Sequence, residues 1–251
     1  MKRNLGQNFL IDINVARREV EYANITKEDI VLEIGPGKGI LTRLLASKAK
    51  EVIAIEIDKK IINFLRENLP KNVSLIHDDV LKVDFNKLKR FNKIVSNLPF
   101  QISSPITFKF LEYNFVSAIL IYQKEFADRL VANVGNKNYS RLSVGVYYKA
   151  KCEILEIIPK TCFKPQPKVD STTIKLNKRK TPPFSVIDEN FFFDLTRNLF
   201  NHRRKKIKNI LNDLYDIKQG DLPYKDNRVE ELSPEQIGNL SNILFNVLSL
   251  K

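Results

Sequence analysis

Cysteine is scarce. The 251 residues hold two, Cys152 and Cys162, with no C-x-x-C spacing and no histidine beside them. A zinc centre and a disulfide framework are therefore excluded as what holds the fold together, no metal site is expected, and a reducing compartment is the default. Long apolar runs are absent as well. None approaches the roughly 18–20 residues that span a bilayer, and none follows Lys2 and Arg3 in the manner of a secretory leader. Internal repeats and low-complexity tracts are missing. These absences leave an intracellular globular protein, expected in the cytoplasm. Acidic residues are also in short supply, 29 against 42 Lys and Arg, for a formal net charge of +13. An excess of that size suits a polyanionic partner, nucleic acid first and a membrane surface second. At 43% hydrophobic the chain can bury a full core, and its length fits one large domain or a medium one with a small one.

What is present reads in order as a strand and helix alternation. The opening residues 4–10 are polar but carry Phe9 and Leu10 beside Gln7 and Asn8, an arrangement that suggests a lid over a ligand. A helix over 11–23 follows, with Asp12 as N-cap and Ile13, Val15, Ala16, Val20 and Ala23 loosely on one face. Ile30-Val31-Leu32-Glu33-Ile34 is a buried-strand pattern running into Gly35-Pro36-Gly37-Lys38-Gly39 and then a helix. Glycines there permit a tight turn and close approach of backbone to a ligand. A second strand, 52–55, ends in Glu56, which lies 21 positions after Gly35. An acidic residue at that place can accept both hydroxyls of a ribose. Together these signals point to an adenosine-type cofactor, NAD or S-adenosylmethionine. A third strand, 73–76, ends in His77-Asp78-Asp79; Asp79 is the candidate acceptor for the adenine amine, and His77 reads as a strand-end surface residue.

A fourth strand, 93–95, leads to Ser96-Asn97-Leu98-Pro99-Phe100. An ordinary turn would use Gly, Asn or Asp without a large ring. The Asn97 side-chain oxygen and the Leu98 carbonyl can both accept hydrogen bonds from an exocyclic amine. Pro99 stiffens the turn and removes a backbone donor, and Phe100 offers a face on which a planar base can stack. Taken alone, the stretch is either a turn with a half-buried ring or a site for transfer to a planar amine. A helix over 102–113 with a serine cap and Pro105 in its first turn, a fifth strand over 116–122 and a helix over 126–134 come next. Residues 143–148 and 151–158 read as two strands of a hairpin, and 169–176 as another extended run. Strands without intervening helices imply an antiparallel edge, as in a methyltransferase sheet and unlike a dehydrogenase half-domain.

The basic, proline-bearing stretch 177–183 reads as a linker. The expected organisation is therefore a Rossmann-like α/β methyltransferase domain over 1–180, with 1–24 as lid segment and first helix, and a small helical domain over 181–251. In the latter, Phe191, Phe192, Leu195, Leu199 and Phe200 recur at helical spacing, followed by His202-Arg203-Arg204-Lys205-Lys206-Ile207-Lys208 and an apolar face through Leu214; Ser233 and Pro234 start a last helix. Arg203, Arg204, Lys205 and Lys206 are the candidate RNA phosphate contacts, against the alternative of a solvated helix face.

The same stretches carry a resemblance. Gly6 to Leu10, Glu33 to Gly39, Glu56-Ile57-Asp58, Asn97 to Phe100, Gln123-Lys124-Glu125, Tyr139 to Ser143, Phe163 to Ser171, His202 to Lys205 and Glu230 to Glu235 occur in this order across nearly the whole chain. They resemble the KsgA-type family of small-subunit ribosomal RNA adenine dimethyltransferases. The resemblance implies S-adenosylmethionine as methyl donor and N6,N6-dimethylation of two adjacent adenosines in a hairpin near the 3′ end of small-subunit rRNA, on the immature subunit, by a monomer. With it the candidate cofactor site becomes Gln7, Asn8, Leu10, Gly35, Gly37, Glu56, Asp79 and Asn97, beside the candidate catalytic set Asn97, Leu98, Pro99 and Phe100. The family motif usually ends in Tyr where Phe100 stands, so the ring face is kept and the hydroxyl lost. A resistance-type methyltransferase of large-subunit rRNA shares the glycine loop and the N-x-P-aromatic motif, but Leu98 and the stretches 163–171 and 230–235 favour the small-subunit enzyme. An assembly factor with methylation secondary, a DNA adenine methyltransferase and a nicotinamide dehydrogenase are weaker alternatives; the loop is not G-x-G-x-x-G.

Overall fold

The computed structural model describes residues 7–216 and 222–249; residues 1–6 of the expected lid, Gly6 among them, lie outside the described residues. The chain divides into two compact units, the first running through Ala127 and including Ala150–Lys178, the second made of Asp128–Lys149 and the chain from Arg179 onward.

The first unit opens with a short strand β1 (Phe9–Leu10) and helix α1 (Ile13–Ala23). Asp12 caps α1 as its sequence position predicts, accepting from the Asn14 N–H at 2.8 Å. Then come β2 (Ile30–Ile34), α2 (Ile40–Lys48), β3 (Glu51–Glu56), α3 (Lys59–Arg66), β4 (Val73–His77), β5 (Lys93–Asn97), α4 (Ser103–Glu112), β6 (Ser117–Gln123) and α5 (Lys124–Leu130), within which the chain passes to the second unit. It returns with β7 (Ala150–Ile158), β8 (Phe163–Lys164) and β9 (Ser171–Lys178). Seven strands form one sheet in the order β4-β3-β2-β5-β6-β9-β7. The pairs among β4, β3, β2, β5 and β6 are parallel, whereas β9 runs antiparallel to both β6 and β7. This is the expected mostly parallel sheet with an antiparallel edge. Val31, Val52, Val95 and Ile119 on its strands are buried against Val15, Ala16 and Val20 of α1 and Leu41 and Leu45 of α2. Strands that bury both faces read as near-continuous apolar runs, which is why β2, β3, β5 and β6 were legible.

Strand order reverses between β2 and β5. Crossovers on either side of that point diverge and leave a crevice at the carboxyl ends of the two strands. Their ladder is short, with Val31 opposite Lys93 and Leu32 opposite Ile94. Beyond it the buried Ser96 hydroxyl takes over: it donates to the Ile34 carbonyl at 2.7 Å and lies 3.2 Å from the Ile34 N–H that it accepts. The strands can therefore splay without leaving backbone polar groups unpaired.

The second unit contains α6 (Arg141–Lys149), α7 (Glu189–Asn201), α8 (Ile207–Tyr215) and α9 (Pro234–Ser249). Its core gathers Tyr139, Val144 and Tyr148 with Phe192, Leu195, Leu199, Ile207, Ile210, Val229, Ile237 and Leu240. Ser233 and Gln236 cap α9 reciprocally, Ser233 N–H to Gln236 Oε1 at 2.8 Å and Gln236 N–H to Ser233 Oγ at 3.3 Å.

Four details differ from the sequence reading. Residues 143–148 are helical rather than a strand, so β7 has no hairpin partner there and pairs with β9 instead. As a helix, this segment belongs to the second unit, which therefore begins to form at Asp128 and not only after 180. Its short apolar run has no strict alternation, and such runs do not distinguish a buried helix from a strand. The basic run 202–206 is the turn between α7 and α8, not a helix face. Ser103 is not a cap: it lies inside α4 and its hydroxyl donates back to the Phe100 carbonyl at 2.9 Å.

Candidate active site

The crevice at the β2/β5 switch is a cavity of about 410 Å³. The glycine turn leaving β2 forms its floor. Gly35 and Gly37 hold φ of 67° and 54°, a left-handed conformation that other residues adopt only with strain. Space demands glycine as well at Gly37, where a Cβ would stand 2.9 Å from Phe9 Cδ1; at Gly35 the demand is conformational only, since a Cβ there would make an ordinary 3.5 Å contact with Pro99 Cγ. Phe9 is held there by β1, which pairs antiparallel with β8, Phe9 opposite Lys164 and Leu10 opposite Phe163. The Ile11 N–H extends this pairing to the Cys162 carbonyl at 2.9 Å. Gln7, Asn8, Phe9 and Leu10, the described part of the expected lid, all line the cavity. The stretch 163–171, part of the resemblance without an assigned role, thus contributes the strand that pairs with β1.

Glu56 ends β3 and is 4% exposed. Its Oε1 accepts from the N–H groups of Ile57 and Asp58, each at 2.9 Å. Burial pushes its pKa above the ordinary value, and those N–H groups pull it partly back. Asp79 follows β4; one oxygen accepts from the Leu81 N–H at 3.1 Å, shaping a turn that presents Asp79, Val80 and Leu81 to the cavity. Asp78 lines it too, so the sequence preference for Asp79 over its neighbour was narrower than the geometry requires. Asn97, Leu98, Pro99 and Phe100 close the opposite side. Leu98 is buried, while Asn97 and Phe100 are half-buried. All eight candidate cofactor residues and all four candidate catalytic residues therefore meet in one cavity. His77 stays outside this lining, and its ring contacts the Ile57 carbonyl at 3.3 Å.

Among the lining residues to which the sequence assigned no role, Glu33 stands out. Glu33 is 2% exposed, and its Oε2 has no hydrogen-bond partner among the described residues. Burial, with Glu56 adding to it and the Thr42 hydroxyl opposing it, raises its pKa to about 8. Its signal was a charged residue inside an otherwise apolar strand. The Glu56 and Asp79 carboxyl groups, a glycine cradle and the apolar side chains of Phe9, Ile34 and Leu98 fit an adenosine-bearing cofactor such as S-adenosylmethionine. Among the described residues no group of His, Cys, Asp and Glu could hold a metal ion.

The basic run of the second unit is less uniform than its sequence. Arg203 ion-pairs with Glu230 and donates to the carbonyls of Lys137 at 2.8 Å and Asn136 at 3.3 Å. Lys205 pairs with Asp213 at 3.1 Å and Lys206 with Asp226 at 3.4 Å. Arg204 is exposed and has no ion pair among the described residues.

Residues 1–246 match the family described as ribosomal RNA adenine dimethylase. The chain belongs to the ribosomal RNA adenine dimethylase family. It is an S-adenosylmethionine-dependent rRNA methyltransferase. A protein of Methanococcus maripaludis named probable ribosomal RNA small subunit methyltransferase A is 44% identical, covering 98% of both chains. The crystal structure of a dimethyladenosine transferase from Plasmodium falciparum superposes with a TM-score of 0.79 at 28% identity, covering 96% of this chain and 98% of that one. The 23S rRNA methyltransferase ErmE is also similar, at 28% identity and a TM-score of 0.68, covering 93% and 98%. Sequence similarity is stronger to the small-subunit relative, 44% against 28%, which disfavours the large-subunit alternative. Nothing in the site or the similarities favours a dehydrogenase. Among the described residues no helix is long and apolar enough to cross a membrane.

Proposed function

We propose that this enzyme dimethylates N6 of two adjacent adenosines in the 3′-terminal hairpin of small-subunit rRNA, acting on the immature small subunit as a cytoplasmic monomer. The observation that carries the reading is the meeting of Asn97–Phe100 with the glycine turn, Glu56 and Asp79 in one cavity. Glu56 holds the ribose hydroxyls of the methyl donor, Asp79 its adenine amine, and Gly35 and Gly37 let the backbone approach it. S-adenosylmethionine supplies an electrophilic methyl group on a sulfonium.

The target amine is a poor nucleophile because its lone pair is delocalised into the purine. Asn97 Oδ1 and the Leu98 carbonyl accept the two amine hydrogens and draw the nitrogen toward tetrahedral geometry, freeing the lone pair for in-line attack. The N–CH3 bond forms as the S–CH3 bond breaks, and the nitrogen then releases one proton to solvent. No catalytic base is needed; the work is positioning and stabilisation of charge developing on nitrogen. Extruding the base costs a few kcal/mol, and stacking on Phe100 returns roughly 1–3 kcal/mol of it. In the second unit Arg204, with Lys205 and Lys206, contacts RNA phosphate.

The test is incubation of unmodified small subunits with labelled S-adenosylmethionine, followed by mapping of the methylated positions. Label at two adjacent adenosines is expected. Asn97→Ala is expected to abolish transfer while RNA binding stays within about twofold, because a lost transition-state contact lowers kcat without weakening ground-state binding. Turnover retained in that variant would remove Asn97 from the mechanism.

A further inference from the structure

Lys109 lies on α4, two helical turns beyond the Asn97–Phe100 stretch. Its ammonium does not face solvent as a free charge. It donates to the backbone carbonyls of Val80 at 2.8 Å and Leu81 at 3.1 Å, and also to that of Val83. An ammonium has three N–H donors, and here three carbonyls of one loop converge on it. The nitrogen also stands 4.6 Å above the centre of the Phe85 ring, which favours a cation at that point.

The loop it gathers is the cavity wall formed by Asp79, Val80 and Leu81. That loop satisfies its N–H groups internally: Lys82 and Val83 donate to the Asp79 carbonyl at 2.8 and 3.2 Å, and Leu81 to its side chain. Its carbonyls are different. Those of residues 80, 81 and 83 point toward one place, an arrangement that repels itself without a cation between them. Side chains of the loop add some packing, since Val80 and Val83 are buried, but Leu81 is 37% exposed.

From this geometry we infer that Lys109 is a positioning residue that fixes the Asp79–Leu81 wall against the Asn97–Phe100 wall and so sets the enzyme's affinity for its cofactor. The helix that follows the amine-receiving turn, starting at Ser103, is the same helix that grips the wall facing the adenine. α4 thereby ties the wall it grips to the turn that precedes it, and the loop meets the cofactor already ordered rather than being ordered by it. The inference rests on the reading that Asp79 faces the adenine of S-adenosylmethionine.

The experiment compares the wild type with Lys109→Met, Lys109→Arg and Asp79→Asn in the full chain. Two quantities are read: the dissociation constant of S-adenosylhomocysteine by calorimetry, and the steady-state constants on small subunits. Lys109→Met keeps the chain length but removes all three donors. It is expected to raise the dissociation constant and the KM for S-adenosylmethionine about tenfold, with kcat and the KM for small subunits within about twofold. Lys109→Arg keeps the charge, but a planar fork cannot place three donors at one point; it raises the same constants by a smaller factor and serves as the test if the Met variant does not fold. Unchanged cofactor affinity in the folded Lys109 variant, with Asp79→Asn weakened, overturns the role of Lys109 and leaves the site reading standing. Unchanged affinity in Asp79→Asn overturns the site reading itself, and the inference with it. A fall in kcat at unchanged KM marks a general structural role for Lys109 and also overturns the inference.

Discussion

Glu19 is fully buried on α1, and neither of its carboxyl oxygens has a hydrogen-bond partner among the described residues. Burial raises its pKa well above the ordinary 4.5, and the nearby Glu33 and Glu156 raise it further, although Glu156 is itself paired with Arg18 at 2.9 Å. Glu33 moves the same way, to about 8. The sign of the pH effect follows. Above about pH 4.5 the unfolded chain has released both protons, while the folded chain keeps them until pH passes the raised values. Stability is therefore fully present below the unfolded pKa and is lost as pH rises through the folded one, by up to ~1.4 kcal/mol per pH unit for each group. The urea midpoint is expected to fall between pH 5 and 8. Glu19→Met is expected to flatten that fall and to add about 1–3 kcal/mol at pH 8, since an apolar group of similar shape removes an unmet polar burial. A midpoint that is flat with pH in the wild type would show that these carboxyl groups are not held as acids. Glu19 lies between Val15 and Ala23 along the buried stripe of α1, yet the sequence did not single it out, since a charged residue in a loosely amphipathic pattern reads as solvent-facing.

Among the elements, the short strand β1 does the most for the site relative to its size. Two residues, paired with two more in β8, bring the Phe9 ring onto Gly37. Gly37→Ala adds a methyl group where φ is 54° and where Phe9 Cδ1 lies 2.9 Å away. It is expected to destabilise the protein by about 1–2 kcal/mol and to weaken S-adenosylhomocysteine binding by at least about tenfold, the equivalent of one such displacement. Calorimetry and a thermal scan on the same sample check both. Wild-type affinity in this variant would mean that the Phe9 and Gly37 contact does not shape the cofactor wall. Neither side of β1 could be read as a strand from sequence, because two residues carry no periodicity and the partner lies more than 150 residues away. Distance explains the other misread elements as well. Residues 143–148 hold valines and tyrosines at a density suited to either helix or strand, and only packing against Phe192 and its neighbours in the second-unit core decides for α6. By contrast the glycine turn, Glu56 and the Asn97 turn were legible because each ends a strand whose apolar run is local and continuous.

The molecule as a whole carries 42 basic and 29 acidic residues, a net charge of +13. That excess named the partner class without naming the contacts, because composition does not show which charges are already spent within the fold. In the second unit the difference is large between adjacent residues. Arg203 is engaged by Glu230 and two backbone carbonyls that join the α7–α8 turn to residues 136 and 137. Lys205 and Lys206 are in exposed pairs, each worth only ~0–1 kcal/mol and readily exchanged for a phosphate. Arg204 has no such commitment among the described residues. Arg204→Ala is therefore expected to leave the melting temperature unchanged and to flatten the slope of log affinity against log salt by about 0.7, the counterion release per phosphate of a single strand. Arg203→Ala is expected to do the reverse, lowering the melting temperature with a smaller change in slope, because it leaves Glu230 and the two carbonyls without their donor. Small subunits, a salt series from low to physiological ionic strength and a thermal scan suffice for both variants. If Arg203→Ala flattened the slope as much as Arg204→Ala while leaving the melting temperature untouched, the division of this run into one structural arginine and one free for phosphate would be wrong, and the charge excess would again have to be read as a single undivided surface.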